Sequence, residues 1–324
     1  MYKLDLTDRK ILHELDFNSR QPVSIIAKKL KLSRDIVNYR MQSFLKEKLL
    51  MKCYTIIDIS KLGYAAHKNF IRFQNITEAK EKEFIKLIQK NPNVVYSASY
   101  DGRFDVVVSL WSKNVEELAE HLKELDAKFG NFIAEREIVS IITGEYCVRD
   151  YLIDKKTYTK RKYFFGSVPQ KVKIDEIDKK ILVELGENAR ISSVEIASKL
   201  NLSADAIAKR IKKLEQRGII QNYNIVPNEE IYPFTHYKIL VALHNANEQK
   251  EKKLEEYCRQ NKNIWYFCKC LGSWNFEIDL DVSSRDEFRK FLRDFKISFF
   301  DIIKDYSVLT AFRTNKYNFC PKIP

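Results

Sequence analysis

The chain has 324 residues, 45% of them apolar and 12% aromatic, with only 8 Gly and 7 Pro, which excludes a disordered chain and calls for two to four compact domains. No run approaches the roughly 18 apolar residues of a membrane span, and the opening MYKLDLTDRK lacks a signal peptide's apolar stretch, so no membrane partner and a cytoplasmic location are expected. The formal charge is +13, and it is segregated: residues 1–52 carry 12 basic against 6 acidic side chains and 171–222 carry 11 against 8, while 53–144 (12 against 13) and 223–314 (14 against 14) are balanced, a pattern that points to dedicated polyanion-contacting segments.

In chain order, Asp8–Leu15 places Ile11, Leu12 and Leu15 on one helical face, Ile25, Ile26 and Leu30 line a second short helix, and Val37, Met41 and Phe44 line a third. Only Lys31 and Leu32 separate the second helix from Ser33, an N-cap residue for the third. Two helices joined by so short a turn are the helix-turn-helix arrangement, and the β-prone LLMKCYTII that follows predicts a wing hairpin. Beyond it, Asn69–Gln74 reads as a strand, Glu78–Lys90 as a helix, Asn93–Trp111 as a hairpin turning at Asp101 and Gly102, Val115–Phe129 as a helix and Ile138–Thr143 as a closing strand. That order, βαββαβ, is the ferredoxin-like motif. One of its sheet faces stays uncovered, which predicts pairing with another sheet.

The whole pattern then repeats at an offset of 170. Asp8–Leu50 aligns with Asp178–Ile220 without a gap and with 16 identities in 43 positions, among them Arg20 with Arg190, Ser33 with Ser203 and Arg40 with Arg210. Gly102 matches Gly272 and Phe129 matches Phe299 at the same offset. The expected fold class is therefore α+β, two winged helix-turn-helix domains alternating with two ferredoxin-like domains. The boundaries expected are 1–60, 61–146, a linker at 147–171, then 172–228, 229–315 and a tail at 316–324.

The core residues of each third helix fix what faces outward. In copy one these are Arg34, Asp35, Asn38, Tyr39 and Gln42; in copy two they are Ala204, Asp205, Ala208, Lys209 and Lys212. Asn, Arg and Gln pair bidentately with purine edges, while Lys suits phosphates. Double-stranded DNA is the expected partner, through Ser33, Arg34, Asn38, Tyr39, Arg40 and Gln42 in copy one and Ser203, Lys209, Arg210, Lys212 and Lys213 in copy two. Copy one has the richer base-reading face.

The six cysteines include no C-x-x-C spacing, and reduced thiols are expected. Cys268 and Cys270 are two apart, so on a strand they share a face, as a ligand pair or as packing. No metal, cofactor or catalytic residue is expected.

DRKILHEL at Asp8–Leu15, Asn18 with Arg20, Leu32 with Ser33, Arg40, GRFD at Gly102–Asp105 and RGIIQNYNIVP at Arg217–Pro227 together resemble the Lrp/AsnC family, the feast-or-famine regulators of archaea and bacteria. The resemblance covers nearly the whole chain twice. It implies that the first domain of each unit binds DNA and that the second mediates dimers or higher assemblies and senses an amino acid or related metabolite near Gly102 and Asp105, with Gly272 and Asn275 as the counterparts. Family members usually carry one unit, so the tandem pair imitates a dimer. Two other readings remain: an enzyme like the siroheme decarboxylases, which share this layout and need His and Arg at a cavity between domains, or a metabolite sensor or adaptor without DNA binding. His13 and His121 are not repeated in copy two, where Val183 and Phe291 stand.

Overall fold

The computed structural model describes residues 3–154, 163–166, 169–170, 172–318 and 320. Copy one runs α1 (Leu6–Phe17), α2 (Val23–Leu30), α3 (Arg34–Lys46), β1 (Leu50–Ile57), β2 (Ala65–Phe73), α4 (Glu78–Lys90), β3 (Val94–Asp101), β4 (Val106–Ser112), α5 (Val115–Phe129) and β5 (Ile133–Tyr146), followed by a short β6 (Tyr163–Gly166). Copy two repeats the order with α6 (Glu176–Glu187), α7 (Ser193–Leu200), α8 (Ala204–Gln216), β7 (Ile220–Pro227), β8 (Thr235–Leu243), α9 (Glu248–Gln260), β9 (Ile264–Leu271), β10 (Phe276–Val282), α10 (Arg285–Ser298) and β11 (Ile303–Tyr317).

Local chemistry accounts for the helix ends. Asp5 and Asp8 exchange backbone and carboxylate hydrogen bonds in a capping box at the start of α1. Lys31 and Asn201 close α2 and α7 in the left-handed conformation, φ 56° and 54°. Ser33 and Ser203 then cap α3 and α8 by accepting the amides of Ile36 and Ala206, each at 3.2 Å.

Pairing across the copies organises the rest. The sequence predicts a wing hairpin within each copy; instead β1 and β7 contribute one strand each and pair antiparallel with one another. Within each copy the four sheet strands follow the ferredoxin-like order, β5-β2-β4-β3 and β11-β8-β10-β9. The last strand of each then extends past its own sheet to pair with the other copy, β11 with β3 and β5 with β9. The eight strands thereby close into one barrel, and β6 adds to β5 beyond the stretch that β2 occupies. The sheets expected to recruit a second chain are thus paired inside this one, because the tandem copy is covalently at hand and saturates their edges.

Alternation along the strands divides the core. Outward residues such as Ile71, Val106 and Val108 pack under α4 and α5, and Ile239, Ile278 and Leu280 under α9 and α10. Inward, Phe70, Phe104, Val107, Trp274 and Leu309 fill one end of the barrel. Its middle holds Lys68, Lys238, Glu277 and Asp279, all nearly fully buried. Lys68 Nζ lies 2.5 Å from Glu277 and Lys238 Nζ 2.6 Å from Asp279, so each charge is paired where an unpaired one would be costly.

Two segments expected outside the domains are structural. In the expected linker, Val148, Arg149, Asp150, Tyr151 and Leu152 are buried, with a 3-10 turn over Asp150–Ile153; the linker positions 155–162, 167–168 and 171 lie outside the described residues. The expected tail begins within β11, and Cys320 packs so closely that a Cβ added at Gly186 would fall 2.5 Å from it. Tail residues 319 and 321–324 lie outside the described residues.

Candidate nucleic-acid interface

The third helix of each copy is held by apolar residues on one side and presents the other. Val37 and Phe44 anchor α3, and Ile207, Ile211 and Leu214 anchor α8. On α3, Arg34, Asn38, Tyr39 and Gln42 are exposed, as is Ser33, with Tyr39 at 70% of its full area. Ile36, 44% exposed, is also turned outward although its type suggests core; an apolar side chain there can meet a thymine methyl. On α8, Lys209, Lys212 and Lys213 are exposed together with Asp205, Ala208, Glu215 and Gln216, and Ser203 is exposed at the cap. Lys209 forms an i,i+4 pair with Asp205 at 2.7 Å, both well exposed.

Arg40 and Arg210 are placed differently from the expectation that they contact DNA. Arg40 Nη1 lies 2.9 Å from both Asp5 and Asp8 carboxylates, and Arg210 Nη1 2.7 Å from both Asp175 and Asp178. Each ties a third helix back to the capping acids at the first turn of the first helix, where the carboxylate pair attracts the guanidinium. Burial pushes the Asp8 carboxyl above its ordinary pKa, while the Asp178 amide and then Arg210 hold Asp175 below it.

The hairpin residues read as an effector site are likewise used by the fold. Asp105 Oδ2 accepts the Phe73 amide at 2.6 Å, and Asn275 Oδ1 accepts the Leu243 amide at 2.8 Å. The change from aspartate to asparagine therefore preserves one acceptor and one job. Gly102, φ +134°, lies so close to β11 that a Cβ would meet the Val308 carbonyl oxygen at 2.8 Å; a Cβ on Gly272 would meet Val139 of β5 at 2.5 Å. Each glycine admits the closing strand of the opposite copy.

The two helix-turn-helix units face each other across a pseudo-twofold contact. Arg20 Nη1 donates to the carbonyls of Ala189 and Ile191 at 2.7 and 2.6 Å, and Arg190 Nη1 donates to those of Ser19 and Gln21. The amides of Ser19 and Ala189 reciprocally reach Tyr223 and Cys53. These contacts and the β1–β7 pair fix the third helices relative to one another. The identity of Arg20 with Arg190 was visible in the repeat, but not its crossed geometry.

Attachment to the barrel is unequal. Asp16 of α1 accepts from Arg149 Nη1 at 2.5 Å and from its amide at 2.8 Å, and His13 Nε2 meets Asp150 at 2.9 Å. The Arg149 guanidinium stacks over Trp265 at 4.3 Å, and Trp265 Nε1 donates to Asp281 at 3.0 Å. Copy two has Val183 and Gly186 where copy one has His13 and Asp16; both first helices are in addition held by the wing strands, α6 through Thr55 Oγ1 to the Leu185 carbonyl at 2.6 Å and α1 through Asn222 Nδ2 to the Phe17 carbonyl at 3.0 Å.

The five histidines are dispersed rather than gathered around one cavity. His13, His67, His121 and His236 pair separately with Asp150, Ser140, Asn93 and Asp279, and His244 contacts its neighbour Asn245. The cavity in the barrel, lined by Lys68, Tyr96, Trp111, Tyr146, Trp265 and Tyr266 among others, measures about 40 Å³, whereas the open groove between the helix-turn-helix units and the barrel, lined by Lys52, Gln89, Val183, Glu187 and Lys316 among others, measures about 480 Å³, within the roughly 300–1,000 Å³ of small-molecule sites. Among the described residues no helix is long and apolar enough to cross a membrane.

Residues 4–44 match an AsnC-type helix-turn-helix domain and residues 174–221 a winged helix-turn-helix DNA-binding domain. An uncharacterized HTH-type transcriptional regulator of Pyrococcus furiosus is 30% identical over 122 residues, 38% of this chain and 81% of that protein. The HTH-type transcriptional regulator LrpA of Pyrococcus horikoshii is 40% identical over 82 residues, 25% of this chain and 55% of LrpA. In structure, the siroheme decarboxylase NirDL in complex with an iron-uroporphyrin III analogue aligns over 98% of this chain and 95% of its own, with TM-score 0.60 and 13% identity, a likeness of fold across both units.

Proposed function

The chain belongs to the Lrp/AsnC family of helix-turn-helix transcriptional regulators, and from that membership we propose that it binds double-stranded DNA in the cytoplasm, sequence-specifically and asymmetrically. The third helix of copy one reads bases through Arg34, Asn38, Tyr39 and Gln42, while that of copy two grips phosphates through Lys209, Lys212 and Lys213. The observation that carries the reading is the pair of capped, outward-facing helices α3 and α8 held by the reciprocal Arg20 and Arg190 contacts. A single chain supplies the paired domains that two subunits supply in one-unit proteins, so its DNA-binding unit is one chain. The regulator names of its relatives and the scattered histidines support a non-catalytic role.

A salt titration tests this. Fluorescence-anisotropy binding to the duplex upstream of its own gene should weaken steeply with salt, with a log–log slope near −0.9 per neutralised phosphate. Absence of binding at low salt contradicts the proposal.

A further inference from the structure

Cys268, Cys270 and Glu277 are all buried, and one ligand atom from each lies within 4.8 Å of the other two. The strands put them there: Cys268 and Cys270 share the inward face of β9, and Glu277 of β10 stands opposite Cys268 in the antiparallel register. We propose that this cluster is a binding site for a thiophilic divalent metal ion of the zinc class, held by two thiolates and one carboxylate inside the barrel.

Four observations support it. The donor set and its closeness suit a tetrahedral ion with sulfur and oxygen ligands. The fixed charges balance, Lys68 and Lys238 against Glu277 and Asp279; when a divalent ion enters, the two thiols release two protons to solvent, so the barrel interior stays neutral. Outer partners already orient the ligands: Trp274 Nε1 donates to Glu277 Oε1 at 3.1 Å, and the Cys270 thiol donates to the Trp274 carbonyl at 3.5 Å. The Lys68 ammonium, 2.5 Å from Glu277 Oε2 and 3.6 Å from Cys268 Sγ, is the cation these ligands hold in the ion's absence, so a bound ion must compete with it. Packing alone does not require these residues, because copy one fills the equivalent positions with Ala98, Tyr100 and Val107.

The test uses the full chain, reduced and kept under anaerobic conditions, with cobalt(II) as the probe. One cobalt per chain should bind with a sulfur-to-cobalt charge-transfer band in the near ultraviolet, and protein from zinc-supplemented cells should contain zinc by atomic emission at the same stoichiometry. Cys268→Ser with Cys270→Ser should lose both signals, and Cys53→Ser with Cys147→Ser should keep them. Should the buried double variant not fold, Glu277→Gln, close in volume, should weaken cobalt binding on the order of tenfold or more. No charge-transfer band and no zinc in the wild-type chain, or signals intact without Cys268 and Cys270 or undiminished in Glu277→Gln, overturns the site. DNA binding is read separately, so loss of the metal site leaves that reading standing.

Discussion

Arg20 and Arg190, 170 positions apart in one chain, make the same contact in opposite directions: each guanidinium donates to two carbonyls in the turn before the other copy's second helix. Arg20 also lies 5.6 Å over the Tyr223 ring. The pair is the internal counterpart of a twofold dimer contact, with the two strands β1 and β7 completing the joint.

Arg20→Ala and Arg190→Ala should each lower stability by about 1.5–3 kcal/mol, the range for charge-assisted hydrogen bonds. The double variant should also lose DNA affinity beyond the sum of the single changes, since the spacing of α3 and α8 is no longer fixed. Urea unfolding and anisotropy titration read the two effects; strictly additive affinity losses would argue that the helices are positioned by the strands alone.

Arg40→Ala and Arg34→Ala should behave oppositely. Arg40 bridges to the nearly buried Asp8, so its loss should cost roughly 1 kcal/mol of stability, the upper end for a part-exposed pair, and leave sequence preference intact. Arg34→Ala with Asn38→Ala should leave stability within about 0.5 kcal/mol and relax base preference. Competition between specific and scrambled duplexes distinguishes them.

Lys212→Ala with Lys213→Ala should weaken binding to every duplex alike and reduce the magnitude of the salt slope by about 2, near 0.9 per phosphate contact. A sequence-dependent loss would show that α8 reads bases instead.

Acid sensitivity should trace to the barrel interior. Burial would raise the Asp279 carboxyl, but Lys238 at 2.6 Å and His236 at 2.7 Å outweigh it and hold it well below the usual carboxylate range. A folded-state pKa depressed in this way gives stabilisation that is complete above the unfolded value of about 3.9 and is lost as pH falls through the lower folded value. Asp279→Asn should therefore cost roughly 3–5 kcal/mol near neutrality, as for a broken buried pair, and the gap to wild type should narrow as the pH drops below about 4. Urea midpoints across that range check it; a pH-independent gap would contradict the assignment.

The parts of the fold that local chemistry encodes were legible. The helix Glu78–Lys90 and the helix Val115–Phe129 lie at the limits read from periodicity, and the serine caps work as expected. What was not legible is pairing between copies. Nothing in LLMKCYTII says that its partner lies 170 residues away, and the alternation of apolar and acidic residues in FEIDLDV (β10) is the pattern of a strand with one face in water. Barrel closure buries both of its faces instead, and the retained lysines Lys68 and Lys238 were the signal for that polar interior. At the candidate interface, outward residues follow from helical geometry, whereas the recruitment of Arg40 and Arg210 by distant acids depends on tertiary approach.

The most direct measurement of the asymmetric reading is selection of bound sequences by the full chain from a randomised duplex library. The account predicts a non-palindromic consensus, with defined bases on the side of α3 and little preference on the side of α8. A palindrome with two equally defined half-sites, or no enrichment over the starting library, would contradict it.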